Sequence, residues 1–180
     1  MSRTRSGSVA KAICVASTFA MVAHCPLASV ADDRVRIWVS PDKNVTLSSI
    51  KAEIGGDPVY QLRLTRLGQA PVVIDEYLRD VNVLWSADSK YVAVTDWIGS
   101  NVADCYVVDT LRPAKKISVT ATLPKLDEDI ADSHFYVSCE NWLSLKTISV
   151  EAAGHTDYSP FHDFTYHFVI DVKTNQVRTH

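Results

Sequence analysis

The chain has 180 residues, 47% hydrophobic and 22% charged, with 18 Lys and Arg against 21 Asp and Glu. That is the make-up of one globular protein, and it excludes a disordered tail, a fibre and a polybasic nucleic-acid binder.

The first 31 residues differ from the rest: they hold no acid, Arg3, Arg5 and Lys11 lie near the start, and an apolar run covers 12–23. Ala28, Ser29, Val30 and Ala31 then precede Asp32 and Asp33. This order predicts a secretory signal peptide over 1–31, cut after Ala31, with Ser29 and Ala31 at the small positions before the cut. The apolar run falls well short of the roughly 20 residues a spanning helix needs. A lipid-anchored alternative would use Cys25, but His24 stands where lipoprotein signals place a small residue. Removing the leader leaves 149 residues with 15 Lys and Arg against 21 acids, a net charge of −6. No later stretch approaches membrane-spanning length. The expected product is a single domain over 32–180, periplasmic or secreted, with no nucleic-acid partner and no membrane span.

Along this domain, short β-like runs are expected at 35–39, 45–54, 59–67, 71–74, 81–85, 91–95, 105–109, 116–122, 145–151, 165–171 and 176–179. The breaks between them, such as Ser40-Pro41-Asp42-Lys43-Asn44 and Gly55-Gly56-Asp57-Pro58, carry tight-turn residues. One helix is expected over 124–135, opened by Pro124, with early acids and with Leu126, Ile130 and His134 spaced by four.

Two stretches resemble each other. Trp85-Ser86-Ala87-Asp88-Ser89 leads into Tyr91-Val92-Ala93-Val94 and, after a polar loop, into Cys105-Tyr106-Val107-Val108-Asp109. Trp142-Leu143-Ser144 leads into Thr147-Ile148-Ser149-Val150 and, after a longer loop, into Tyr166-His167-Phe168-Val169-Ile170-Asp171. The second copy is one residue shorter and lacks the turn Asp. A third, less complete copy starts at Trp38, passes through the turn at 41–44 and ends in the 59–67 strand.

Over residues 81–110 this pattern resembles a blade of the TolB-type and WD-repeat β-propellers of exported bacterial proteins. In that family a strand ending in Trp-Ser-Pro-Asp-Gly is followed by a tight turn, an apolar-Ala-apolar strand and a later strand ending in apolar-apolar-Asp. The resemblance implies an all-β fold of blade-like antiparallel meanders, to which the spacing over 124–135 adds one short helix. Because 149 residues fall short of the four blades of about 40 residues that closure usually takes, the expected architecture is an incomplete propeller or a β-sandwich. No catalytic residue is implied.

Cys14 and Cys25 leave with the leader, so Cys105 and Cys139 remain as the only pair in an oxidising compartment, and a disulfide between them is expected. Neither has a second Cys or a His at zinc-site spacing, and no cofactor is expected. The chain carries no Gly-x-Ser-x-Gly elbow, phosphate-binding loop, dinucleotide fingerprint or His-Glu-x-x-His. His155, Asp157, His162, Asp163 and His167 lie close together but follow no metal-ligand pattern, and they read as a solvated segment with aromatic anchors. Asp75-Glu76 and Asp127-Glu128-Asp129 read as solvated acids rather than catalytic pairs.

The loop from Asp96 through Trp97, Ser100 and Asn101 is the candidate binding surface, since it joins two expected strands and offers an indole beside short polar side chains. The functional expectation is an exported, non-catalytic binding module of the cell envelope. A periplasmic inhibitor or immunity-type protein is a concrete version, and the partner would be another envelope protein or a cell-wall component. The alternatives are a structural envelope protein and a small periplasmic hydrolase.

Overall fold

The computed structural model describes residues 35–124, 134–155 and 163–179. The expected leader, residues 125–133 of the expected helix, and Asp157 and His162 lie outside the described residues. Among the described residues, twelve strands follow one another as three four-stranded antiparallel meanders. The first contains β1 (Arg36–Val39), β2 (Val45–Ile54), β3 (Asp57–Arg66) and β4 (Val72–Tyr77). The second contains β5 (Asp80–Trp85), β6 (Tyr91–Trp97), β7 (Val102–Asp109) and β8 (Lys116–Ser118). The third contains β9 (His134–Trp142), β10 (Thr147–His155), β11 (Asp163–Asp171) and β12 (Gln176–Thr179). A short parallel pairing of β7 with β9, Val102 facing Phe135 and Ala103 facing Tyr136, joins the second and third into one sheet.

The blade-like, all-β expectation holds, with two local corrections. His134 and Phe135, expected to end a helix, open β9. Phe135, Tyr136 and Val137 are strand formers, and Val137 and Cys139 are buried on one face of that strand. The strand expected over 116–122 stops at Ser118 and gives way to a single 3₁₀ turn, Thr120–Thr122. There the Ser118 hydroxyl accepts from the Ala121 N–H and the Thr122 hydroxyl donates to the Ser118 carbonyl, offering the backbone local partners in place of a ladder.

Burial explains why the middle meander has the most apolar strands. Val81, Val92, Val94, Tyr106 and Val108 pack against Val45, Leu47, Leu62, Leu64, Ile74 and Tyr77 of the first meander. Ala93, Cys105 and Val107, from the opposite face, pack with Val137, Ile148, Val150, Phe168 and Ile170 of the third. A sheet covered on both sides loses the in–out alternation, and Val92 to Thr95 and Cys105 to Thr110 are accordingly unbroken buried runs. Each fully buried Leu, Ile or Phe contributes about 1.5–3 kcal/mol. In β11, Thr165 and His167 are exposed and Phe168 is buried as a period of two expects, but Tyr166, on the face of Phe168, is exposed as well, so the alternation is in place only from His167 onward.

The repeat is a repeat of turn chemistry. Trp38, Trp85 and Trp142 lie at or next to the end of the first strand of their meanders. After Trp38, the Ser40 hydroxyl donates to Asp42 Oδ1 (2.7 Å) and accepts from Val45 N (3.0 Å), while Asn44 N donates to the same carboxylate (3.1 Å). After Trp85, Ser86 donates to Asp88 Oδ1 (2.9 Å) and accepts from Tyr91 N (3.0 Å), and Lys90 N donates to Asp88 (3.3 Å). The residue after each turn Asp, Lys43 and Ser89, has a left-handed φ of 62° and 60°. After Trp142, the shorter turn uses Ser144, whose hydroxyl accepts from Lys146 N and Thr147 N. Asp109 and Asp171 close the third strands of their meanders, the Asp109 carboxylate accepting from Leu111 N and that of Asp171 from Lys173 N and Thr174 N.

The expected disulfide is present: Cys105 on β7 and Cys139 on β9 are bonded, with α-carbons 5.8 Å apart. It ties the second meander to the third inside their shared core.

Candidate binding cleft

Strand β9 runs across the second meander. Its N-terminal end pairs with β7, the Cys139 N–H donates to the Thr95 hydroxyl of β6 (3.0 Å), and the Trp142 indole donates to the Leu84 carbonyl of β5 (3.0 Å). This crossing brings residues of all three meanders around a cleft of about 550 Å³. Arg36 and Trp38 come from β1, Asn82 from β5, Trp97 from β6, Glu140 from β9 and Glu151 from β10. A larger recess of about 690 Å³ lies between β8 and the β11–β12 turn, but it is framed by lysines and turn residues and offers no aromatic ring.

The cleft has two charged halves. On one side the Arg36 guanidinium lies 4.9 Å from the Trp38 ring centre, pairs with Asp80 and donates to the Val81 carbonyl (3.3 Å). That cation is therefore neutralised and stacked. On the other side are two carboxylates: Glu140, which accepts from the Ser138 hydroxyl (2.6 Å), and Glu151, whose Oε2 lies 3.9 Å from His167 Nδ1.

The loop singled out from sequence is shorter than expected. Asp96 and Trp97 belong to β6, and only 98–101 form the connection to β7. Trp97 is half-buried, its ring 6.2 Å from that of Tyr136, and the side chain most exposed beside it is Ile98. Ser100 and Asn101 are exposed, while their carbonyls accept from the Tyr136 hydroxyl (2.6 Å) and the Phe135 N–H (3.1 Å). The loop is thus pinned to β9 by its backbone, which leaves its side chains free to face solvent.

Asp96 points away from that surface. It shares the face of Val92 and Val94, which packs on the first meander, and stands directly across from Asp104 on β7. Its Oδ1 is buried with no hydrogen-bond partner among the described residues. Burial, then the carboxylates of Asp75 and Asp104, push its pKa up to about 6. Burial, and next Asp75, also push the neighbouring Tyr106 phenol upward.

The His segment splits up. His155, Asp163 and His167 lie on β10 and β11, with His155 paired across from Asp163 and its ring tilted against that of His134, centres 4.3 Å apart. Among the described residues no group of three or more His, Cys, Asp or Glu is arranged to hold a metal. Sequence reasoning singled out Trp97 but not Arg36, Glu140 or Glu151. The signal for their side of the fold was the repeat itself: residues near each repeated Trp belong to the first strands, β1, β5 and β9, and those strands supply most of the cleft wall.

No family model matches the sequence, and no curated protein is detectably similar to it. Among solved structures, the chain is similar to TolB from Acinetobacter baumannii, with 13% identity and a TM-score of 0.44 over 82% of this chain and 32% of that one. It is also similar to the Pyrococcus horikoshii acylaminoacyl peptidase, with 14% identity and a TM-score of 0.45 over 82% of this chain and 25% of that one. The chain spans less than a third of either.

Proposed function

We propose that the protein is exported, cleaved after Ala31, and acts as a non-catalytic binding module of the cell envelope, a periplasmic inhibitor or immunity-type protein being the concrete form. One observation carries this reading: side chains from three successive meanders, including two incompletely buried indoles, converge on one open cleft. A half-buried indole on a rigid strand supplies apolar contact area at little cost in conformational entropy. The 98–101 loop, with Ser100 and Asn101 exposed, adds hydrogen-bonding groups beside Trp97.

The test is Trp97→Ala, assayed as bait against an envelope extract and by thermal melting. The half-buried ring contacts Tyr136, so truncation lowers stability by less than about 2 kcal/mol, below the 3–5 of a fully buried aromatic. Partner binding falls by at least about 1–2 kcal/mol, roughly tenfold. A large loss of stability with unchanged affinity per folded molecule would make Trp97 a core residue and remove the basis for this surface.

A further inference from the structure

We infer that the cleft receives a basic side chain, lysine or arginine, presented by an extended segment of a protein partner. This rests on the binding reading above and names the chemistry of the occupant. The protein already displays that chemistry within itself: Arg36 lies over the Trp38 indole and pairs with the Asp80 carboxylate. Trp97, Glu140 and Glu151 supply an indole and two carboxylates to the same cleft, and no Lys or Arg among the described residues is ion-paired with either glutamate. Among the described residues Arg36 is the one permanent cation lining the cleft, and it is committed to Asp80, so the unpaired charge is negative. A cation entering from outside gains both carboxylates and the ring face, whereas an acidic segment meets like charge. Arginine suits the site best, because its planar guanidinium can stack on an indole while donating to a carboxylate.

The probes are blocked pentapeptides with a central arginine, lysine, norleucine or glutamate, titrated into the mature protein while the indole N–H signals of its four tryptophans are followed by NMR. The arginine peptide is expected to shift the Trp97 signal. Binding should weaken at least fivefold in Glu140→Gln/Glu151→Gln, and severalfold between 50 and 500 mM salt, as for exposed charges. Glutamine keeps the acceptor that Ser138 uses, and both positions are partly or fully exposed, so the variant folds; an unchanged melting curve confirms it.

Equal binding of the norleucine peptide, or no effect of the double substitution, overturns the inference. Spermidine binding as tightly as the arginine peptide would assign the cleft to a free polyamine and overturn the protein-segment part. If Trp97→Ala abolishes envelope capture while the double variant retains it, the cationic chemistry falls and the binding reading stands. If no peptide binds and capture is indifferent to Trp97, both fall.

Discussion

Replacing Asp96 with Asn should stabilise the protein at neutral pH and leave it unchanged in acid. Asp96 is wedged between the first and second meanders, opposite Asp104, with its pKa raised from 3.8 to about 6 by burial and then by Asp75 and Asp104. A carboxyl whose folded pKa lies above its unfolded value binds its proton more tightly in the native state. Its contribution is therefore most favourable below about pH 4, declines as pH rises through 4 to 6, and is fully adverse above about pH 7. A shift of about two units corresponds to about 3 kcal/mol. Because the group is only about half buried, solvent screening reduces this to about 1–2 kcal/mol. Asn is neutral at every pH and similar in shape, so it removes this adverse charge without opening a cavity. Urea unfolding of both proteins at pH 4, 5, 6, 7 and 8 measures the difference, in which the other acids cancel. The variant should match wild type at pH 4 and exceed it by about 1–2 kcal/mol at pH 8. A difference that does not vary with pH, or a variant less stable at pH 8, would refute the claim that Asp96 is an adverse buried charge.

Three further outcomes follow from the geometry. A Cβ on Gly154 would lie 1.8 Å from the His134 carbonyl oxygen and 2.7 Å from the Phe164 ring, so Gly154→Ala must push β9 and β10 apart; a loss of about 2–3 kcal/mol in urea unfolding is expected. Lys43 holds a left-handed φ of 62° on an exposed turn, so Lys43→Gly should gain about 1 kcal/mol. Ser89→Gly should gain less, because Ser89 also accepts from Asp42 N (3.1 Å); differential scanning calorimetry of both variants checks the order. Cys105→Ser/Cys139→Ser removes a link between residues 34 apart and should cost about 3–4 kcal/mol, read by denaturant unfolding; alkylation of the denatured, unreduced wild-type protein should label neither cysteine.

The legible parts of the fold were those in which a residue's own chemistry decides its geometry. Ser40, Asp42, Ser86 and Asp88 saturate turn N–H groups, and Asp109 and Asp171 do the same after the third strands, so the repeat could be seen in the residues that make it. The helix expected over 124–135 hid β9, because Leu126, Ile130 and His134 share a helical spacing while the strand signal begins only with Phe135. The cleft was less legible for a different reason. Trp97 is conspicuous as an indole beside a Gly-containing loop, but Arg36, Glu140 and Glu151 are ordinary exposed or part-exposed charges on strands of the first and third meanders. The β9–β10 hairpin sets the two glutamates near each other, and the crossing of β9 over the second meander brings them to Trp97 and Arg36. Asp96 was grouped with its loop neighbours, but a period of two puts it on the face of Val94, away from Trp97, where the packed first meander imposes burial.

The Cys105–Cys139 bridge secures the three meanders unequally. It locks the second to the third, whereas the first is held by side-chain packing, the Arg36–Asp80 and Lys116–Asp75 pairs and a few hydrogen bonds such as Asp42 N to Ser89. Peeling away the first meander therefore leaves every covalent constraint intact, while separating the other two must work against a closed loop. The lowest sub-global opening is at the N-terminal side, and amide exchange should be faster in β1 to β4 than in β9 to β11. Such an opening bares Val81, Val92, Val94, Tyr106 and Val108 together, an apolar sheet face with a strand edge at β5. The aggregation hazard of this molecule thus lies in a surface that its folded form conceals, and it grows with whatever loosens the first meander, not with reduction of the disulfide alone.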